Sequence, residues 1–135
     1  MIKIDNSLIS NLLTQAAANP RLRQNFDLRS SEADASQRML NALQPGTVVP
    51  IHRHPNSNES IVLLCGKAEE IFYDGEGRET ERLLMDPAAG SYGCVVPAGC
   101  WHTIVALEPT VIMEAKDGRY GEDGSESFPA KNQGL

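Results

Sequence analysis

Three histidines and one glutamate are spaced in this chain as ligands of a metal ion would be. His52 and His54 are separated by one residue, Glu59 follows the run PNSN, and His102 ends the run PAGCWH. On a strand, side chains two residues apart project to the same face, about 7 Å apart along the chain. The residues Pro55 to Asn58 suit a turn, which would return Glu59 on an antiparallel neighbour facing the same way. His102 begins a later strand just after Pro97-Ala98-Gly99, a rigid turn that delivers one side chain at a strand end. Three imidazoles and a carboxylate make a borderline-hard donor set for one divalent ion; iron(II), manganese, nickel, cobalt, copper and zinc are all chemically acceptable. A His-x-His pair alone is weak evidence, since exposed strands carry such pairs by accident. This chain has only 3 histidines, however, and all of them fall in the arrangement.

A metal held by such a set keeps open positions if it is five- or six-coordinate. There it polarises a carbonyl or hydroxyl, or binds dioxygen if it is iron. Glu59 is the catalytic candidate, because a carboxylate can swing off the metal and take a proton; plain ligation is its simpler role. No histidine is left as a base once the metal is bound, which leaves Glu59, Tyr73, Tyr120, Lys116 or a cysteine. Arg38 and Asn41 lie on the strand leading into the site. Facing inward, either would hold a carboxylate, phosphate or hydroxyl; the alternative is an outward arginine and an edge asparagine. Glu114 and Lys116 share a strand face and read as an exposed pair. Trp101 would face away from His102 and pack outside the barrel, and Cys100 is not taken as a ligand.

These residues need a scaffold. Residues 5–18, DNSLISNLLTQAAA, have helical periodicity, with Asp5 or Asn6 as cap and Asn19-Pro20 as stop. The following PRLRQNFDLRSSEADAS reads as a polar linker; its Arg21, Arg23 and Arg29 are solvated or reach an anionic ligand. From Gln37 the period becomes two, and strands are expected over 37–43, 47–54, 59–65, 67–73, 78–85, 92–96, 101–107 and 110–116. In that phase Ile61, Leu63 and Cys65 follow Glu59 inward. About eight short strands separated by turn residues point to an antiparallel sandwich or barrel, and eight is the jelly-roll number. The division expected is 1–36 as helix and linker packing on the barrel, 37–116 as the barrel, and 117–135 as a loosely held or partner-contacting extension.

Composition excludes several classes. A net charge of -6 and the absence of a basic stripe argue against nucleic acid and anionic membrane surfaces. No apolar run approaches the ~20 residues of a membrane span, and the first ten residues carry no signal-peptide core. A cytoplasmic protein is expected. Its 3 cysteines, without a CxxC pair, read as reduced thiols.

The run Gly46-x5-His52-x-His54-x4-Glu59-x6-Gly66 matches the first motif of the cupin superfamily at every position. Pro97, Gly99 and His102 match the second; Gly90 and Gly93 bracket the place of its leading glycine, and Ala106 replaces its asparagine. Over most of its length the chain also resembles the WbuC family of small cupin-fold metalloproteins. The stretches that carry this are the N-terminal helix, PRLRQN, QRMLNALQPGTVVPIHRH, PAGCWHTIVALEP and EAKDGRYGED. The resemblance implies an all-β cupin double-stranded β-helix, a jelly-roll barrel with a short N-terminal α-helix. It implies one divalent transition metal (Fe, Zn, Mn or Ni) on His52, His54, Glu59 and His102. It also places the family with O-antigen and surface-polysaccharide gene clusters. The expected function is a metal-dependent, isomerase-like enzyme on a small sugar-related metabolite bound in the barrel. The rivals are an iron or nickel dioxygenase and a non-catalytic saccharide-binding or sensor module. By analogy with other antiparallel cupins, a homodimer is expected.

Overall fold

The alternating pattern that starts at Ser36 builds two antiparallel sheets that share one interior. In the computed structural model, residues 1–119 and 122–129 are described. One sheet has the order β1 (Arg23–Asp27), β2 (Ser36–Leu43), β9 (Thr110–Asp117), β4 (Glu59–Cys65), β7 (Gly93–Val96). The other has the order β10 (Glu126–Ser127), β3 (His52–Arg53), β8 (Trp101–Ala106), β5 (Ala68–Tyr73), β6 (Glu79–Met85). This is the all-β cupin arrangement with one N-terminal helix, as the motifs imply. No helix among the described residues is long and apolar enough to cross a membrane.

The helix α1 (Asn6–Ala18) is capped by Asp5, whose carboxylate accepts from the Leu8 N–H at 3.0 Å. It buries Leu12 and Ala16 against Leu40, Ala42 and Val111 on the outer face of the first sheet. The inner faces bury Leu43, Ile61, Leu63, Ala68, Ile104, Ala106 and Ile112 with Met85 and Val96.

Register arranges this interior in rungs. Glu59 lies opposite Lys116 on β9, and His102 opposite Phe72 on β5. One inward step along each strand places Ile61 opposite Glu114 and Ile104 opposite Glu70. A further step brings Leu63 opposite Ile112 and Ala106 opposite Ala68, where the apolar core begins. The ionisable side chains of these rungs are therefore gathered at one end of the interior.

Four local expectations change. The strand expected over 47–54 shrinks to His52–Arg53. Pro50 has no N–H for a ladder, and side chains take over the pairing: the Thr103 hydroxyl donates to the Val49 carbonyl at 2.6 Å, and Thr47 to the Arg21 carbonyl at 2.7 Å. The segment read as a linker carries β1, which pairs with β2 along Arg23–Asp27 and packs Phe26 under the helix. Cys65 turns away from the barrel to the helix side, because a register shift between Leu63 and Cys65 changes the face that follows. In the segment read as a loose extension, β10 pairs with β3 and Phe128 is 3% exposed. Gly66 ends β4 at φ 92, and a Cβ there would run into the backbone of Pro109 and Thr110.

Candidate metal centre

His52 and His102 are direct cross-strand partners on β3 and β8, which brings their ring centroids to 4.3 Å. His54 stands just past β3, where its carbonyl accepts from the Gly99 N–H at 2.9 Å. Next to this contact, the Asn58 side chain accepts from the Ala98 N–H at 2.9 Å. These bonds tie the turn before Glu59 to the turn before His102. They also explain a correction: Glu59 does not return on a neighbour of β3. Residues 55–58 cross to the opposite sheet, where β4 lies between β9 and β7, and Glu59 faces the histidines across the interior. The ligand atoms of His52, His54, Glu59 and His102 all lie within 4.8 Å of one another.

The hydrogen bonds fix which nitrogen each ring offers. His52 Nδ1 is 2.7 Å from the Pro50 carbonyl and His102 Nδ1 is 2.9 Å from the Cys100 carbonyl. A carbonyl only accepts, so each Nδ1 carries the proton and a neutral ring leaves Nε2 bare. His54 Nδ1 is 2.7 Å from the Ser125 hydroxyl, which itself donates to Asp123 at 2.7 Å. That hydroxyl is therefore an acceptor for His54. Lys116 Nζ stands 3.4 Å from the same Nδ1; a protonated Nδ1 cannot accept from it, which leaves the carboxylates of Asp123 at 3.5 Å and Glu59 at 3.8 Å as its partners.

The Nε2 atoms of His54 and His102 thus face a carboxylate, and the His52 ring lies against both rings. His102 Nε2 is 3.3 Å from Glu59 Oε1, His54 Nε2 is 3.4 Å from Glu59 Oε2, and His54 Nε2 is buried without a hydrogen-bond partner among the described residues. Bare nitrogens facing an anion repel it unless a cation stands between them. The donor set and its orientation fit a divalent transition metal. Burial and the neighbouring His102 lower the pKa of His52 to about 4, which keeps its ring neutral. Burial alone would raise the Glu59 pKa, but without a metal, ring protons shared by His102 and His54, with the charge of Lys116, outweigh it and hold the carboxyl far below its ordinary range.

The four residues open on a cavity of about 540 Å³. Asn41 lines it, whereas Arg38 points outward to Asp34 at 2.6 Å. Arg21 and Arg23 line it, while Arg29 is bound to Asp27 at 2.9 Å. Glu114 and Lys116 are not an exposed pair: both line the cavity, and the Lys116 side chain is 13% exposed. Trp101 packs outside the barrel, against Phe128 and beneath Arg53. Cys100 lends its carbonyl to His102 and packs against the barrel core. All 3 cysteines are free thiols. Tyr73 does not line the cavity, and Tyr120 lies outside the described residues. Three polar residues escaped the sequence reading. Asp123 and Ser125 had no signal in a polar tail, and Glu70 is one of two adjacent glutamates in AEEIFY. Only the phase of Ala68 and Phe72, both facing inward, marks Glu70 as the interior one.

Residues 4–85 match the sequence model of a family described as Domain of unknown function (DUF6016). This is more than half of the chain, so the chain belongs to that family. No curated protein matches it. Among solved structures it is similar to CapF with the inhibitor 3-isopropenyl-tropolone, with a TM-score of 0.64 and 17% identity over 78% of this chain and 31% of that one. It is similar to the oxalate decarboxylase of Lactobacillus farciminis in its formate complex, with a TM-score of 0.60 and 18% identity over 78% of this chain and 31% of that one. A cupin 2 domain-containing protein from Halorhodospira halophila matches with a TM-score of 0.60 and 20% identity, over 82% of this chain and 71% of that one. At such identities the likeness establishes the cupin fold alone. The chain spans under a third of the CapF and oxalate decarboxylase chains.

Proposed function

We propose that this DUF6016 chain is a cytoplasmic metalloprotein of the WbuC kind. It holds one divalent transition metal through His52, His54, Glu59 and His102. In this reading it is a metal-dependent, isomerase-like enzyme on a small sugar-related metabolite of surface-polysaccharide synthesis. The observation that carries the metal is the orientation of the rings: each histidine has Nδ1 engaged, and the Nε2 atoms of His54 and His102 face the Glu59 carboxylate. The bound metal would act as a Lewis acid on a ligand carbonyl or hydroxyl.

The chain's own residues support that chemistry. Ser125 and the two backbone carbonyls hold the rings in one tautomer. Lys116 sits beside Glu59 at 3.8 Å, where it balances the carboxylate and stands ready to bind a ligand oxygen. Glu59 serves as ligand and as the carboxylate able to accept a proton when it shifts. The sugar and polysaccharide side rests on the sequence resemblance. We also propose a homodimer, by analogy with other antiparallel cupins; exposed Val62, Leu64, Tyr92 and Val95 on and beside β4 and β7 supply an apolar surface for it.

Metal content of untagged protein, measured by plasma mass spectrometry beside a His102→Ala variant, tests this reading. Near-stoichiometric metal in the wild type, lost in the variant, is expected. No metal, or equal metal in both, refutes it. Iron together with oxygen consumption would move the assignment to a dioxygenase.

A further inference from the structure

Glu70 has an environment that neither the fold nor the metal accounts for. The residue is 0% exposed, and neither carboxyl oxygen has a hydrogen-bond partner among the described residues. It lies opposite Ile104, one step inward from His102 on the neighbouring strand. Diagonal neighbours on one sheet face are about 7–8 Å apart. Glu70 lies outside the four-residue metal group yet lines the same cavity as His52 and His102. For the barrel alone a leucine or methionine would fill this rung without burying an unpaired polar group. From the opposite sheet Glu114 enters the same rung, but Asn41 gives it a hydrogen bond. The unsatisfied group is Glu70.

We propose that Glu70 is a ligand-contacting residue, hydrogen-bonded to a hydroxyl of a small hydroxy-carbonyl compound whose other oxygen faces the metal. This rests on the metal-centre reading above. A ligand on the inward side of the metal meets the carboxyl rung first. A carboxyl suits a hydroxyl there, because it both donates and accepts. Ile61 and Ile104 on the same rung suit the carbon skeleton. A second carboxylate on the ligand would meet Glu70 and Glu114 and is disfavoured. Burial, with Glu59 and Glu114 nearby, pushes the Glu70 pKa up to about 9, so its proton is available to a ligand oxygen at neutral pH.

The test uses cobalt(II)-loaded full-length protein followed by its visible spectrum, with dihydroxyacetone and formate as probes. Dihydroxyacetone offers both oxygens, whereas formate has no hydroxyl to reach Glu70. Wild type is expected to respond to both. Glu70→Leu should bind dihydroxyacetone about tenfold more weakly and formate unchanged, and Glu70→Gln, which keeps hydrogen-bonding capacity, should restore most of the affinity. Glu70→Met serves as the apolar variant if the leucine does not fold. Equal dihydroxyacetone affinity in the apolar variants, equal loss of formate, or a cobalt-loaded wild type silent to dihydroxyacetone overturns the proposal. A wild type that takes up no cobalt overturns the metal reading itself.

Discussion

Replacing Glu70 by glutamine turns a buried acid into an amide of the same shape, with an effect on stability that depends on pH. Burial first, then the charges of Glu59 and Glu114, move its pKa from 4.5 up to about 9. The unfolded chain releases this proton near pH 4.5, whereas the folded chain keeps it until about pH 9. Between these values the folded state binds the extra proton, so wild-type stability falls as the pH rises across the window. The slope is about 1.4 kcal/mol per pH unit, and by pH 7 the accumulated loss is on the order of 3 kcal/mol. Glutamine does not titrate. The stability of Glu70→Gln relative to wild type should therefore climb by about 1.4 kcal/mol for each unit between roughly pH 5.5 and 8.5. Glu114, pushed up to about 8 mainly by burial, is present in both proteins and cancels in the difference. Urea unfolding of metal-stripped protein in chelator, at several pH values in that range, measures it. A difference that stays constant with pH would mean that Glu70 is ionised or solvated, and the account of the inner rung would fall.

Ser125→Ala removes the acceptor that holds His54 in its tautomer. Cobalt affinity should drop by roughly tenfold or more, while the melting temperature of the metal-free protein stays the same; unchanged affinity would show that the arm around Ser125 is only packing. Charging the apolar strip with Val62→Glu and Val95→Glu should leave a folded monomer in light scattering. A dimer that persists would place the contact elsewhere.

The grouping of His52, His54, Glu59 and His102 was legible because motif spacing carries it: a His-x-His pair and a Pro-x-Gly turn specify side-chain delivery through local geometry. What the sequence hid depends on partners distant in the chain. β1 has one large apolar residue, Phe26, and exists because it adds to the edge of β2. Lys116 and Glu114 looked like a surface pair because their charges say nothing of the cavity that the two sheets enclose. Ser125 reaches His54 across 71 positions of sequence, and no periodicity announces that. Glu70 and Glu69 are chemically alike, and only the pairing of β5 with β8 places one inside. The strand expected over 47–54 failed at Pro50, where a missing N–H mattered more than alternation.

The irregularity at the end of β4 matters for how that strand can go wrong. Its first residues present Glu59, Ile61 and Leu63 to the barrel, whereas Cys65 belongs to the helix side. Slippage by one residue would turn Glu59 out to solvent, and the same shift would pull Cys65 from beneath α1. Gly66, which admits no Cβ beside Pro109 and Thr110, closes the strand at that point. Two neighbouring layers thus pin one strand from opposite sides. Misaligned pairings lose both contacts at once, so the register that delivers the carboxylate is guarded by residues that lie apart from the candidate metal site.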